Sequence, residues 1–283
     1  MFNKTLWIAF EHTAADLIAK AKLMGASAVA VRTMNPSNDN PLDEPTIARY
    51  HEAKLKVYGW MFPAIEPGSY GNFRYVKDEA DYVANKLVPA GLDVYFFDPE
   101  GHDRDNPRNW DQQGLDDHAK YWCMTIKAAV PTGKPFIFGL SSHFKGRSNY
   151  PKLPWSVFVQ HCDIMLPQSY WRMLDNGQEK EIGHGPKKNY DDGQAEWTTF
   201  ARGKPVIPMA GELGLVTRNE IEAHVRAAAG RDLHLAAMDG IRTELHFYTD
   251  TLAERPENYQ FIGQLGTSER LFARIGRMLR LSG

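Results

Sequence analysis

Short apolar runs alternate with longer amphipathic stretches along the chain, the pattern of parallel strand–helix–strand units. Residues 5–10 (TLWIAF) read as a first strand. Residues 14–24 then set Ala15, Leu17, Ile18, Ala21 and Met24 at helical spacing, and Gly25 supplies a stop. Residues 28–31 and 56–62 (KVYGWMF) predict strands two and three, and 76–88 a helix leading to strand four at 92–97 (LDVYFF). The pattern continues with a helix at 115–130, a strand at 135–140, and a short helix at 155–161 feeding a strand at 163–166. A helix at 194–202, a strand at 204–209 (KPVIPM), a helix at 219–229 and an eighth strand at 244–248 (ELHFY) follow, although His234 to Met238 competes as a strand. Residues 258–281 end the chain with helical pattern, placing Arg270, Arg274, Arg277 and Arg280 opposite Leu271, Phe272, Ile275 and Leu279. Eight strands with intervening helices and no linker predict one α/β domain over residues 1–283, a (β/α)8 or TIM barrel.

Composition agrees with that size. A chain of 283 residues suits one such barrel and buries a core large enough to need neither disulfides nor metals. The formal net charge of -2 gives no electrostatic case for nucleic acid or an anionic membrane as partner. Cys123 and Cys162 are far apart among apolar neighbours and read as small buried hydrophobes. The amino terminus lacks the basic start, apolar run and small-residue cleavage site of a signal peptide, and no stretch reaches the ~18 apolar residues of a membrane span. A cytoplasmic protein, or a phage-type lytic enzyme released by other means, is the expectation. No cofactor is implied.

In such a barrel the active site is built at the carboxyl ends of the strands. Those ends read Glu11-His12, Arg32, Trp60-Met61-Phe62, Asp98-Pro99-Glu100, Ser141-Ser142-His143, Gln168-Ser169-Tyr170-Trp171, Glu212 and Asp250. Acids, amides and aromatics together suit a glycan, whose rings stack on aromatic faces while its hydroxyls take hydrogen bonds. Asp98 and Glu100, two apart on an extended segment, face the same side. Of two close carboxylates, the less solvated keeps its proton near neutral pH and can act as a general acid. Glu100 is the candidate acid and Asp98 its tuning partner; the pair also reads as a solvated strand-to-loop pair or a helix cap. The run from Asp163 to Trp171 (DIMLPQSYW) brings an amide, a phenol and a stacking ring to one strand end, or buries its aromatics under a loop.

A strand ending Asp-x-Glu, followed two strands later by Met-x-Pro-Gln-x-Tyr-Trp, resembles barrel glycoside hydrolases of the chitinase type (family eighteen) and of the lysozyme type (family twenty-five). Gly59-Trp60 and the segment 204–208 (KPVIP) are similar to segments of the same barrels. The chitinase-type resemblance implies that Glu100 is the acid/base, that Asp98 holds a substrate acetamido group, and that Tyr170 hydrogen-bonds that group, whose own oxygen is the nucleophile. The fuller motif, Asp-x-x-Asp-x-Asp-x-Glu, is matched at Asp93, Asp98 and Glu100, with Phe96 in place of its second aspartate. The lysozyme type carries an aspartate where this chain has Glu11.

Other arrangements compete. Retaining barrels of a large clan pair an acid after strand four with a glutamate nucleophile on strand seven, a role open to Glu212 among its glycines. Carboxyl groups ~5 Å apart would then indicate retention and ~6.5–9.5 Å inversion. His12, His102, Asp103 and His143 could gather with Glu100 at a metal, but no HxH or HExxH spacing supports it. Long loops at 35–45 and 172–192 are functional candidates, the second as one wall of a groove. Trp60, Tyr70, Trp110, Tyr150, Trp155 and Trp171 are possible stacking platforms, with core packing favoured for Trp155. The expectation is a glycosidase acting on a polysaccharide or peptidoglycan with N-acetylated amino sugars. Its catalytic candidates are Glu100, Asp98, Tyr170 and Glu212; Trp60, Gln168, Trp171, His143, Glu11 and Asp250 would bind the glycan. The rivals are a non-catalytic carbohydrate-binding barrel and a metal-dependent hydrolase of another ester or amide.

Overall fold

A computed structural model describes residues 3–8, 13–34, 42–68, 73–175, 178–232, 244–249 and 255–265. Seven parallel strands form one curled sheet: β1 (Lys4–Ile8), β2 (Ala28–Arg32), β3 (Lys56–Met61), β4 (Val94–Phe97), β5 (Ile137–His143), β6 (Ile164–Gln168) and β9 (Leu245–Thr249). They run in the order β6-β5-β4-β3-β2-β1-β9, each parallel to its neighbour.

Residues 205–210 fill the gap between β6 and β9. On one side Met165 N donates to Pro205 O at 2.9 Å, Ile207 N to Met165 O at 2.7 Å and Met209 N to Pro167 O at 2.8 Å. On the other, Ala210 N donates to His246 O at 2.9 Å and Tyr248 N to Ala210 O at 3.1 Å. The segment is the seventh stave in chain order and closes the (β/α)8 barrel. It is not the regular strand expected at 204–209, because Pro205 and Pro208 have no N–H to give and the ladder is interrupted at each.

Strand parity sorts the side chains. Trp7, Ala28, Ala30, Tyr58, Trp60, Val94, Phe96, Ile164, Leu166 and Met209 fill the barrel, while Tyr95, Phe97 and the helix faces form a separate shell outside it. Phe96 lies opposite Gly139, whose missing side chain leaves room for its ring. Beneath these rings a polar cluster occupies the amino end of the barrel. Glu244, 2% exposed, accepts from Thr5 Oγ1 at 2.7 Å and from Tyr58 OH at 2.9 Å, and Trp7 Nε1 donates to His246 Nδ1 at 2.9 Å.

The helices α1 (Ala14–Met24), α4 (Asp116–Ala129), α6 (Trp155–His161) and α8 (Arg218–Asp232) lie close to the predicted positions. Thr13 caps α1 by accepting from Asp16 N, and Gly25 ends it with φ 62°. The helix predicted at 76–88 is α3 (Val76–Tyr82) continued by the π-turn Val83–Leu87. Two departures lie in the loops. The carboxyl end of the loop expected at 35–45 belongs to α2 (Glu44–Glu52), capped by Asp43 and opened by Pro45, which buries only Ile47 and Tyr50 and so leaves a weak apolar period. The loop expected at 172–192 is an antiparallel hairpin, β7 (Arg172–Asp175) with β8 (Gln178–Glu181), followed by α7 (Pro186–Thr198), which begins eight residues before the helix expected at 194. The short α5 (Gly146–Asn149) follows β5, and α9 (Pro256–Gln264) packs beside α1; the arginines of the expected terminal helix, residues 270–280, lie outside the described residues, as do 234–238. Cys123 and Cys162 are free and buried. Among the described residues no helix is long and apolar enough to cross a membrane.

Candidate active site

The parity that buries Val94 and Phe96 in the barrel carries Asp98 and Glu100 to its carboxyl-terminal mouth. Asp98 is 2% exposed and Glu100 half-buried, and both line a cavity of about 500 Å³. Two strands away, Gln168 ends β6 and joins them: its Nε2 donates to Asp98 Oδ1 at 2.8 Å and to Glu100 Oε1 at 2.8 Å. One amide nitrogen thus spends both hydrogens on two carboxylates and fixes their separation. Ser141 Oγ lies 3.3 Å from the same nitrogen, and Ser142 Oγ donates to Pro99 O at 2.6 Å, tying the Asp-Pro-Glu segment to β5.

Burial and mutual repulsion set the electrostatics. Burial first, then the Glu100 charge, push the Asp98 carboxyl well above its ordinary range against hydrogen bonds from Ser141 and Gln168 and the field of Arg32. Burial also raises Glu100, opposed by the Gln168 hydrogen bond and by Arg108 and Arg32. The order of burial is the reverse of the one expected: Asp98, not Glu100, is the less solvated of the two and the one raised further, so the proton rests first on Asp98. The two carboxyls titrate as a unit that retains a proton to higher pH than either would alone.

The loop after β4 is held by side chains. Asn109 Oδ1 accepts from His102 N at 3.1 Å and Asp111 N at 3.0 Å, and Trp110 N donates to Glu100 O at 2.8 Å. Gly101 permits this path: a Cβ there would sit 2.4 Å from two ring carbons of Tyr150, which lines the cavity with Glu100. Gly211 does the same for Tyr170, since its Cβ would sit 2.7 Å from Tyr170 Cβ.

Tyr170 lines the cavity with its ring stacked on Tyr248 at 5.0 Å and 11°. Glu212 is 3% exposed and also borders the cavity; its Oε1 accepts from Gly214 N at 3.1 Å and Thr249 Oγ1 at 3.3 Å. His143, at the rim, stacks on Phe144 at 4.8 Å, and burial lowers its pKa to about 4, so the ring is neutral at pH 7. Trp60 forms part of the cavity floor, where its Nε1 donates to Ile8 O at 3.2 Å and its ring packs 5.7 Å from Trp7. At 4% exposure it offers a glycan little of its face.

Trp171 does not join the others. It follows Tyr170 with opposite parity and is fully buried behind the hairpin, its ring 5.4 Å from His224. Trp110 and Trp155 are likewise core residues, the first giving its Nε1 hydrogen to Pro63 O at 2.9 Å. Asp93, the first matched position of the chitinase-type motif, sits at the opposite end of β4. There its carboxylate accepts from Val57 N at 2.8 Å and meets His51 at 3.0 Å, a structural role repeated by Asp163, which accepts from Phe138 N at 2.9 Å. Glu11, His12, Tyr70 and Asp250 lie outside the described residues. Among the described residues no three His, Cys, Asp or Glu side chains are placed to hold a metal ion.

Several cavity residues carried no expected role. Arg32 is 3% exposed and lies over Phe62 and Phe73, with Arg108 over the same two rings. On the other side the hairpin lays Met173, Leu174 and Ile182 against the cavity. It is anchored by Arg172, whose Nε donates to Glu220 at 2.9 Å and whose Nη1 donates to Glu179 at 2.6 Å.

No family model and no curated protein matches the sequence. Solved structures do match in fold. A GH18 chitinase from Pseudoalteromonas aurantia superposes with TM-score 0.56 over 94% of this chain and 100% of its own, at 12% identity. The xylanase-alpha-amylase inhibitor protein XAIP-I, solved with trehalose, gives TM-score 0.55 over 93% of this chain and 98% of its own, also at 12% identity. The carboxyl-terminal domain of Legionella pneumophila ChiA gives 0.51 over 93% and 97%, at 11% identity. At such identities the likeness is one of fold, and the fold is shared by chitinases and by an inhibitor protein.

Proposed function

We propose that the protein is a glycoside hydrolase acting on a glycan that contains N-acetylated amino sugars, with Glu100 as general acid/base. The observation that carries this reading is the Gln168 clamp. Two carboxyl groups of raised pKa share one amide nitrogen, at 2.8 Å each, inside an open cavity. The pair holds a shared proton that Glu100, the more exposed of the two, can pass to a glycosidic oxygen while Asp98 keeps the charge.

In the substrate-assisted scheme, Glu100 protonates the leaving oxygen as the bond to the anomeric carbon breaks. The substrate's acetamido oxygen forms the new bond to that carbon. Asp98 accepts the acetamido N–H and balances the developing positive charge, and the Tyr170 hydroxyl hydrogen-bonds the acetamido oxygen. Water then attacks the anomeric carbon, gives its proton to Glu100 and releases the acetamido oxygen, which restores the starting state. Gln168, which also lines the cavity, holds the two carboxyls in register and can still contact the glycan. Glu212, bordering the same cavity, is the alternative nucleophile of a two-carboxylate mechanism.

Likeness to an inhibitor protein favours a second reading, a barrel that binds glycans without cleaving them. One experiment separates the two: digestion of a glycan panel, neutral and acidic, followed by mass spectrometry of new reducing ends. Cleavage by the native protein and its loss in Glu100→Gln supports the hydrolase. Native-like cleavage by Glu100→Gln removes Glu100 from the mechanism, and binding with no cleavage of any glycan establishes the second reading.

A further inference from the structure

The cavity is charged at one end and apolar at the other. At one end the Arg32 guanidinium lies 4.9 Å from the Phe62 ring centroid and 5.0 Å from that of Phe73. Arg108 lies 5.3 Å and 4.2 Å from the same two centroids. Two cations therefore share one pair of rings. Stacking on a ring face positions a guanidinium and attracts it weakly, but it does not neutralise the charge.

Arg108 is the more telling of the two. Its Nε donates to Asn106 Oδ1 at 3.3 Å, and among the described residues its terminal nitrogens meet no acceptor and no ion-pair partner. Its burial works against its own charge, with only the field of Glu100 acting in the other direction. Arg172, the third arginine on the cavity, differs: two carboxylates, Glu179 and Glu220, engage it directly. At the opposite end Met173, Leu174 and Ile182 offer nothing ionic. A guanidinium that lines a cavity and packs over its aromatic rings can receive a planar or tetrahedral oxyanion through paired N–H bonds.

We infer that Arg32 and Arg108 form an anion-recognising subsite, and that the preferred glycan carries a carboxylate or sulfate on the sugar lying over Phe62 and Phe73. This rests on the glycan-cavity reading above and names its substrate class. The anion fixes which way the chain lies across Glu100, because the hairpin end of the cavity has no cation left to receive it. A rival role for the two arginines is to serve only Asp98 and Glu100 as counter-charges. In that case their removal would affect neutral and acidic glycans alike.

The test is calorimetric titration of the full chain with three oligosaccharides of equal length: an N-acetylglucosamine oligomer (neutral), a hyaluronan oligomer (carboxylate) and a keratan sulfate oligomer (sulfate). Binding of at least one acidic oligomer about tenfold tighter than the neutral one, with a preference that shrinks at high salt, is expected. Which acidic oligomer wins identifies the anion. Arg108→Gln collapses the acidic-to-neutral ratio toward one, and Arg108→Lys, which keeps the charge and loses the fork, restores part of it; thermal melting checks that each variant is folded. Equal or tighter binding of the neutral oligomer by the native protein overturns the inference and leaves the hydrolase reading standing. An unchanged ratio in a folded Arg108→Gln also overturns it, as does failure of all three to bind, which removes the glycan reading too. Tight acidic binding together with no cleavage of any glycan in the digestion panel would sink the hydrolase and leave this subsite intact.

Discussion

Replacing Glu244 by glutamine should remove a pH-dependent component of stability that the fold builds beneath the site. Glu244 is 2% exposed inside the barrel, and burial raises its pKa from 4.5 to about 7, against the hydrogen bonds from Thr5 and Tyr58. A carboxyl whose folded pKa exceeds its unfolded value favours the native state when protonated. Its contribution is complete below about 4.5 and is lost as pH rises through about 7. Each unit is ~1.4 kcal/mol, so the shift of about 2.5 units corresponds to about 3 kcal/mol. Glutamine keeps the shape and can still accept from Tyr58, but it does not titrate. Urea unfolding of both proteins between pH 4.5 and 8 supplies the difference curve, which cancels every other titrating group. The native protein should lose about 3 kcal/mol relative to the variant across that window. Parallel curves, or a native protein that gains on the variant with rising pH, would refute the assignment of a neutral, buried carboxyl at this position.

Other perturbations probe the remaining parts of the structure. Gln168→Leu removes the hydrogen bonds that favour the ionised forms of Asp98 and Glu100, so both limbs of the pH–rate profile should move to higher pH; an unmoved profile would show that the clamp does not tune the pair. His224 is fully buried with its pKa lowered by burial from 6.5 to about 3, so its neutral form stabilises the fold above about 6.5 and that gain is lost on acidification. His224→Phe should flatten the acid side of the stability curve between those values, as read by thermal melting across pH. Gly139→Ala drives a methyl into the Phe96 ring and should destabilise by ~1–3 kcal/mol in urea unfolding. Arg172→Ala releases the hairpin from Glu179 and Glu220 and should raise KM more than it lowers kcat.

The elements of the barrel were legible wherever their apolar period was strong, as in β1, β3, β4 and α4. Parity alone placed Asp98 and Glu100 together, because one inward-facing register dictates the next. The seventh stave was legible as a position but not as a regular strand, since Pro205 and Pro208 satisfy the apolar pattern and break the hydrogen bonding. α2 and the first turns of α7 were hidden because their exposed faces are polar and their apolar contacts few. The hairpin of β7 and β8 was hidden for a different reason: its strands cross a rim without entering the core, so no alternation of buried and exposed residues marks them. Trp171 was assigned to the cavity by proximity to Tyr170, yet neighbours on an extended chain face opposite sides, and parity puts it in the core. Arg108 sits in a loop with no periodicity; only its place after the Asp-Pro-Glu segment pointed toward the site. The glutamate that separates the chain from the lysozyme-type pattern, Glu11, lies outside the described residues.

Proton donation by Glu100 is tested most directly by comparing two leaving groups in Glu100→Gln. A glycan linkage needs its departing oxygen protonated, whereas a dinitrophenyl glycoside of the same sugar departs without help. The variant should lose ~10²–10⁴-fold in kcat/KM on the glycan and stay near the native rate of bond cleavage on the activated glycoside. An equal loss on both substrates, or no loss on the glycan, would contradict a general acid at position 100.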